Sequence, residues 1–555
     1  MEELLFLGGI LAVLLYTLYR GIAEGRKRQR ALRQTLLDSY GKANTRKWKS
    51  GELEMISRYT EEKRGENGID SLTWEDLNMN ELYKQMAYTG SSVGDDYLYF
   101  LLHHPRQSRE ELQELDNKIS YYQQNAEERV KLQVLFHGIG RLRNYSLSQY
   151  LLYMEEVAPG KNITHHLMNA LLLLSLCIMG FSMGVGGVLL FLCVCYNFIS
   201  YFRYKGQMEP YLTSFRYILS LLDFAVKIEK ELNPVWGKEK EELQEKEKRF
   251  RQFQKNSFLV LSRGRLSGQG MELILDYLRM CFHLDIIKFN SMLKQLQQDM
   301  DAIWEIYALL GELDSCLAIG AYRASLPVWC VPQFADNAGI IMDEGYHPLV
   351  SEAVPNSLRM KKNILLTGSN ASGKSTFLKT MGINVLLAQT VYTCAAKSFS
   401  LPFCRLFTAI SLKDSVFLQE SYYMAEIRAI KRILDCAEEG VPVVCMVDEV
   451  LRGTNTVERI AASTQILRQM SRMGILCLAA THDGELTKTL EEEFDNYHFE
   501  EELIRGDVRF SYQLLPGKAE SSNAIRLLEE LGYSPQVTEG ARKMIEEYRK
   551  QGEWR

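Results

Sequence analysis

Asn363-Ile364-Leu365-Leu366-Thr367-Gly368-Ser369-Asn370-Ala371-Ser372-Gly373-Lys374-Ser375-Thr376 is the stretch from which the rest of the chain can be read. The apolar run at residues 364–366 predicts a buried strand. Residues 368–375 fit G-x-x-x-x-G-K-[ST]. Phe377, Leu378, Met381, Ile383, Leu386 and Leu387 then recur with helical spacing. Strand, glycine loop and helix in that order are the context in which such a loop holds phosphate. Glycines let backbone N–H groups turn inward around phosphate oxygens. The N-terminus of the following helix adds partial positive charge at the same point. Lys374 has the reach for β- and γ-phosphates, and the Ser375 hydroxyl suits Mg²⁺. The rival reading, a glycine-rich turn with a chance lysine, does not explain the flanking strand and helix patterns.

Two further segments complete this chemistry. Residues 442–449, Pro-Val-Val-Cys-Met-Val-Asp-Glu, predict a buried strand ending in two acids. Asp448 suits Mg²⁺ coordination and Glu449 suits polarising an attacking water. Residues 475–480 predict another buried strand, followed by Thr481-His482-Asp483. A histidine at the carboxyl end of such a strand lies where α/β sheets bind nucleotide, and it can respond to a γ-phosphate. A structural role is the alternative for a lone histidine.

The chain has 555 residues and a formal net charge of −5. That length implies several units. The balance of charge excludes a globally basic nucleic-acid binder, so any such surface must be local. Eleven cysteines are scattered without a C-x-x-C pair, which reads as reduced thiols rather than a disulfide framework or a metal site. Asn162-Ile163-Thr164 fits a glycosylation sequon but falls on the inner side of the topology that follows.

Residues 4–19 are almost wholly apolar, and Gly21-Ile22-Ala23 extend them to about the length of a spanning helix. Glu2 and Glu3 precede the run and no A-x-A site follows, which argues against a signal peptide. Arg20, Arg26, Lys27, Arg28, Arg30 and Arg33 follow it. The positive-inside rule then puts the N-terminus outside the cell. This basic run suits anionic lipid head groups; a DNA-binding arm is its rival. Residues 167–202 form a second apolar stretch without a charge and with glycines at its middle. It reads as a transmembrane hairpin turning near Gly184, with Lys161, Arg203 and Lys205 holding both ends inside. Between and after these stretches, residues 62–166 and 203–325 are polar and helical in pattern. Leu273, Leu278, Leu284, Phe289, Leu293 and Leu296 begin a stripe that reads as packed helices. From residue 326 short apolar strands and turns take over.

These motifs together resemble the MutS family of DNA mismatch-repair ATPases. Thr367-Gly368-Ser369-Asn370-Ala371-Ser372-Gly373-Lys374-Ser375-Thr376-Phe377-Leu378-Lys379 is similar to its phosphate loop, with Ser369 and Ala371-Ser372 departing from the usual residues. Asp448-Glu449-Val450-Leu451-Arg452-Gly453-Thr454-Asn455-Thr456 is similar to D-E-x-x-R-G-T-S-T, and Ala480-Thr481-His482 to A-T-H. Ser421-Tyr422-Tyr423-Met424-Ala425-Glu426 resembles S-T-F-x-x-E, and His347-Pro348 the H-P before the ATPase. The likeness is specific over residues 335–555 and weaker, as helical core and lever, over 72–324. It implies that Lys374 and Ser375 hold phosphate and Mg²⁺, that Glu449 is the catalytic base, and that His482 is a switch. It also implies that Ser421 contacts the γ-phosphate in the opposite subunit of a dimer. A mismatch-reading domain with an F-x-E wedge is not expected before the ATPase, nor a nuclease-like tail after it.

The expected fold is an α-helical core and lever region with transmembrane helices, followed by an α/β P-loop ATPase domain. The expected order is a spanning helix (1–23), a basic juxtamembrane linker (24–61), a helical core (62–166), a transmembrane hairpin (167–202), a helical lever region (203–325), the ATPase domain (326–515) and a helical dimerisation segment (516–555). The expected ligands are ATP, bound by residues 368–376 (Gly368, Ser369, Asn370, Ala371, Ser372, Gly373, Lys374, Ser375 and Thr376) with Ser421, and Mg²⁺ on Ser375 and Asp448. A homodimer, DNA and membrane lipids are the expected partners, at a cell membrane with the ATPase cytoplasmic. Two readings compete. A membrane-anchored scaffold ATPase need not touch DNA. An ABC transporter subunit also joins spans to a phosphate loop, and Leu266-Ser267-Gly268-Gln269-Gly270 looks like a scrambled transporter signature, but it precedes the loop instead of following it.

Overall fold

The computed structural model describes residues 2–63, 65, 68–141, 147–255, 257, 260, 269–335, 339–369, 372–410, 422–437, 442–452, 455–504, 507–519, 525, 528, 529 and 532–551. A helical body is followed by an α/β head.

The body begins with α1 (Glu2–Ser39), a single helix of 38 residues. The apolar run and the basic run are therefore continuous helix, and of the expected linker only residues 40–51 are outside a helix. The reason is local. Residues 26–37 are mainly Arg, Lys, Gln, Ala and Leu, all good helix formers, with no proline. Arg20 with Glu24 (3.1 Å) and Gln34 with Asp38 (2.9 Å) add contacts one turn apart. The side chains of residues 1–15, which carry the first expected span, lie outside the described residues.

The body continues through α2 (Glu52–Glu62), α3 (Ser71–Asp76), α4 (Met79–Met86), α5 (Ser92–His103), α6 (Arg109–Gln124), α7 (Ala126–Ile139) and α8 (Leu147–Glu156). After α9 (Asn162–Phe181) and α10 (Met183–Met208) come α11 (Leu212–Glu229), α12 (Gly237–Arg249), α13 (Arg251–Gln254), α14 (Gln269–Phe282), α15 (Leu284–Gln298) and α16 (Met300–Ser325). The apolar stripe that begins with Leu273 is divided among α14, α15 and α16. Helix α16 is the axis of the body, buried along almost its whole length. It meets α5 through Asp314, which accepts from the N–H groups of Gly90 (3.0 Å) and Ser91 (3.0 Å) and from the Ser91 hydroxyl (2.6 Å). Burial pushes this carboxyl up to about 6.

Helices α9 and α10 form an antiparallel hairpin that projects from the body. The chain reverses at Ser182, and Gly184 lies in the first turn of α10. Leu171, Leu174, Phe181, Val188, Phe191 and Leu192 are exposed on it. Among the described residues, two helical stretches are long and apolar enough to cross a membrane, α9 and one beginning with α10, and only 17% of either apolar window is buried. A soluble core helix would bury such a face. At its base the hairpin becomes polar and is tied to the body. Asn197 donates to the Cys281 carbonyl (2.8 Å), Tyr201 donates to Asp285 (3.0 Å), and Lys205 pairs with the same carboxylate (2.5 Å).

The head holds two sheets. One has the order β1-β5-β2-β3, from β1 (Gln333–Phe334), β2 (Ile340–Gly345), β3 (Asn356–Met360) and β5 (Ser398–Leu401). The other has the order β10-β9-β4-β8-β7-β6. It comprises β4 (Asn363–Thr367), β6 (Arg405–Ala409), β7 (Val443–Asp448), β8 (Leu476–Ala480), β9 (Phe494–Ile504) and β10 (Asp507–Pro516). All its pairings are parallel except β9 with β10. Strands β4, β7 and β8 are the continuous apolar runs that a sheet covered on both faces demands. The helices of the head are α17 (Lys374–Thr390), α18 (Tyr422–Ala437), α19 (Thr456–Arg472), α20 (Leu486–Thr489) and α21 (Pro535–Gln551).

Body and head meet at α3. Asp76 accepts from the Thr408 hydroxyl (2.7 Å) and the Ile410 N–H (2.9 Å) at the end of β6, while Arg432 of α18 pairs with Asp70.

Candidate active site

Sheet order assembles the site. Strand β8 lies between β4 and β7, with Leu366 opposite Ala480 and Ala480 opposite Asp448. One row across three neighbouring strands therefore ends in the glycine loop, in Thr481-His482 and in Asp448-Glu449. These are the carboxyl ends of parallel strands, where open α/β sheets bind ligands. Residues far apart in sequence converge there because three buried strands stop at the same level.

The loop leaves β4 at Gly368, whose φ is +143°, and enters α17 at Gly373, whose φ is +109°. A Cβ on Gly368 would lie 2.9 Å from both the Phe499 carbonyl oxygen and the Ser372 hydroxyl oxygen. Both positions require glycine, one for space and both for backbone conformation. Ser372 is buried, and its hydroxyl has no hydrogen-bond partner among the described residues. Lys374 is also buried, and its ammonium donates to the carbonyls of Gly368 and Ser369, both at 2.8 Å. Burial lowers the Lys374 pKa, against the nearby charges of Asp448 and Glu449. Ser375, in the first turn of α17, donates its hydroxyl to Asp448. Thr376 is exposed beside it, and its carbonyl accepts from Thr380 (2.8 Å) within the helix. Asn370, Ala371 and Ser421 lie outside the described residues, as do residues 266–268 of the transporter-like stretch.

The acids of β7 divide in character. Burial pushes the Asp448 carboxyl up, with Glu449 adding to the effect against the Ser375 hydroxyl. Burial acts on Glu449 in the same sense, but His482 and Arg452 outweigh it and hold that carboxyl below its ordinary value. His482 Nε2 is 3.0 Å from Glu449, and Arg452 pairs with the same carboxylate at 2.5 Å. His482 Nε2 also lies 3.3 Å from the Lys374 ammonium. One ring nitrogen cannot donate to Glu449 and accept from Lys374 at once, and the shorter contact to the carboxylate assigns it as the donor. Glu449 adopts φ +56° and Leu451 φ +62°, a left-handed turn that non-glycine residues seldom take. The Glu449 N–H to the Ala480 carbonyl (2.9 Å) holds this turn against β8. Backbone strain of this kind costs on the order of 1–3 kcal/mol and persists where surrounding structure over-determines it.

The site includes residues that the sequence analysis did not assign. Arg452 is the cation on Glu449; its place in the D-E-x-x-R stretch was the available signal. Glu426 on α18 is buried, accepts from the Arg452 N–H (3.2 Å) and is pushed up by burial. Arg459 holds Asp483 through two bonds, at 2.9 and 2.7 Å, beside His482. Nothing local in sequence pairs α19 with the residue after His482.

The donor set fits a nucleotide and a divalent cation. The Ser375 hydroxyl and Asp448 carboxylate are hard oxygen donors brought together, as Mg²⁺ demands. The Ser372 hydroxyl, without a partner among the described residues, and the glycine-lined turn leave polar capacity for phosphate oxygens. Glu449 is ionised and adjacent, as a water-polarising base must be.

Residues 364–549 match the family profile described as MutS domain V. The DNA mismatch repair protein MutS of Aquifex pyrophilus is 31% identical over 271 residues, covering 47% of this chain and 31% of that protein. The protein of the same name from Thermus thermophilus is 31% identical over 262 residues, 46% of this chain and 32% of the relative. That from Natronomonas pharaonis is 31% identical over 275 residues, 47% and 31%. The chain thus spans about a third of the length of the curated relatives it matches.

Proposed function

This chain belongs to the MutS family through its domain V, and on that premise we propose that it is a membrane-tethered ATPase. It would bind and hydrolyse ATP with Mg²⁺ in a composite site of a homodimer and couple turnover to DNA. The observation that carries the ATPase reading is the single row at the ends of β4, β8 and β7. It brings Lys374, His482 and the Ser375–Asp448 pair together with an ionised Glu449.

In this reading Lys374 exchanges the carbonyls of Gly368 and Ser369 for the β- and γ-phosphates, and the loop N–H groups of residues 369–376 hold the remaining oxygens. Ser375 and Asp448 hold Mg²⁺, which when bound neutralises charge on the phosphate oxygens. Glu449 orients and deprotonates water. His482, hydrogen-bonded to Glu449, reports phosphate occupancy to β8. His482 and Arg452 together hold the Glu449 carboxyl below its ordinary value. Ser421 would complete the site of the opposite subunit. Residues 1–23 and 167–202 are the membrane elements, with 62–166 and 203–325 as core and lever, 326–515 as the ATPase domain and 516–555 as the dimerisation segment. The exposed apolar faces of α9 and α10, above a polar base, support the membrane assignment.

The test is ATP hydrolysis by the full-length protein without DNA and with perfect, mismatched and branched duplexes across a salt series. Hydrolysis that Lys374→Ala abolishes, and that DNA stimulates less as salt rises, is the expected result. Turnover in Lys374→Ala would sink the site. Intact basal turnover indifferent to every DNA would remove DNA and leave a scaffold ATPase.

A further inference from the structure

Cys330 and Cys394 sit directly opposite one another where the body joins the head. Cys330 lies five residues beyond α16, the axis of the body. Cys394 lies four residues beyond α17, the helix that the phosphate loop opens. They form an isolated antiparallel bridge in which both backbone hydrogen bonds are made, at 3.0 and 2.9 Å. Such a pair sets its Cα atoms about 5.5 Å apart, within the roughly 4.4–6.8 Å that a disulfide accepts. We propose that Cys330 and Cys394 are a reversible dithiol–disulfide switch that clasps the end of the body to the turn after the phosphate-loop helix.

The two thiols are unequal in the way a redox pair requires. Cys330 is partly exposed and Cys394 is buried. The Cys394 thiol donates to the Asn384 carbonyl (3.5 Å), and the neighbouring Cys394 sulfur together with the Phe399 N–H holds Cys330, against burial, below an ordinary cysteine. Burial and the neighbouring sulfur push Cys394 well above one. Cys330 is therefore the accessible attacking thiolate and Cys394 the resolving group. The second opposed pair in the head, Cys445 and Cys477 on β7 and β8, provides the contrast: both are sealed in the sheet core. Cysteines that merely fill space resemble that pair, buried on both sides.

The oxidant is a low-molecular-weight disulfide, RSSR. The Cys330 thiolate attacks one sulfur and releases RS⁻, leaving a mixed disulfide. Cys394 gives its proton to the released thiolate, its sulfur then attacks that of Cys330 and expels the second RS⁻, and that thiolate takes up the proton that Cys330 gave to solvent on ionising. Two protein thiols and one RSSR become one protein disulfide and two RSH. The link would fix a joint already crowded by Arg323, which is fully buried and donates to the Thr393 hydroxyl (2.8 Å) and the Tyr392 carbonyl (3.0 Å).

The test is treatment of the full-length protein in nanodiscs with oxidised glutathione, followed by non-reducing peptide mapping and by labelling with a maleimide. A 330–394 cross-linked peptide, loss of maleimide at Cys330 and recovery of both by dithiothreitol are expected, with Cys445 and Cys477 staying reduced. In Cys394→Ser the glutathione adduct should accumulate on Cys330. Wild-type protein carrying that adduct without the cross-link would overturn the proposal, as would oxidation of the sealed pair at the same rate. The readout is chemical, so it stands whether or not the chain hydrolyses ATP.

Discussion

Asp76 offers the sharpest test of how body and head are joined. One carboxylate oxygen of this buried residue accepts both the Thr408 hydroxyl (2.7 Å) and the Ile410 N–H (2.9 Å). Asp76→Ala removes both acceptors and leaves the Ile410 amide without the bond that closes the end of β6. A hydrogen bond to a charged group contributes about 1.5–3 kcal/mol, and 1.36 kcal/mol is a factor of ten, so local opening should become about 10- to 150-fold more frequent. Hydrogen exchange of a peptide ending at Ile410 reads this directly. Asp76→Asn presents one oxygen, and because both donors use the same carboxylate oxygen it should retain most of the protection. Exchange in α5 is the control for global destabilisation. Unchanged exchange at Ile410 in Asp76→Ala, or equal loss in α5, would refute the idea that Asp76 is a local joint.

Gly368→Ala places a methyl 2.9 Å from the Phe499 carbonyl oxygen at φ +143°, and should abolish binding of a fluorescent ATP analogue while leaving helical circular dichroism unchanged; wild-type affinity would show the loop to be slack. Asp314 has a folded-state pKa of about 6 against an ordinary 3.8, so the folded state holds its proton more tightly. Its contribution is fully present below the unfolded value and is lost as pH rises through the folded one, about 3 kcal/mol in all. The thermal midpoint of wild type should fall across that window while Asp314→Asn stays flatter, and parallel curves would exclude it. Gly184→Cys should react with an impermeant maleimide from outside intact cells only; labelling from the cytoplasmic side would overturn the hairpin orientation. Glu449→Gln should retain ATP and stop turnover in a single-turnover assay, and normal turnover would move the base to another group.

Much of the head is legible in the chain itself. The glycine loop is written in contiguous residues because its geometry is local: Gly368 and Gly373, both at positive φ, with Lys374 and Ser375, follow one another between β4 and α17. The strands ending at Asp448 and before His482 are continuous apolar runs because their sheet is covered on both faces, so their termini could be read as well. The hairpin is equally direct, since two long apolar arms without a charge admit few other solutions. Tertiary structure alone decided the rest. That β8 separates β4 from β7, and so inserts His482 between Lys374 and Glu449, follows from strand order, which no local pattern encodes. The continuation of α1 through its basic run depends on summed weak preferences that a charge pattern read as linker conceals. The meetings of Asp76 with Ile410, Arg459 with Asp483, and Cys330 with Cys394 join residues from 24 to 334 positions apart. Such contacts arise only when packing of the body and head has fixed where each chain segment lies, and they are what turn a readable motif into a site.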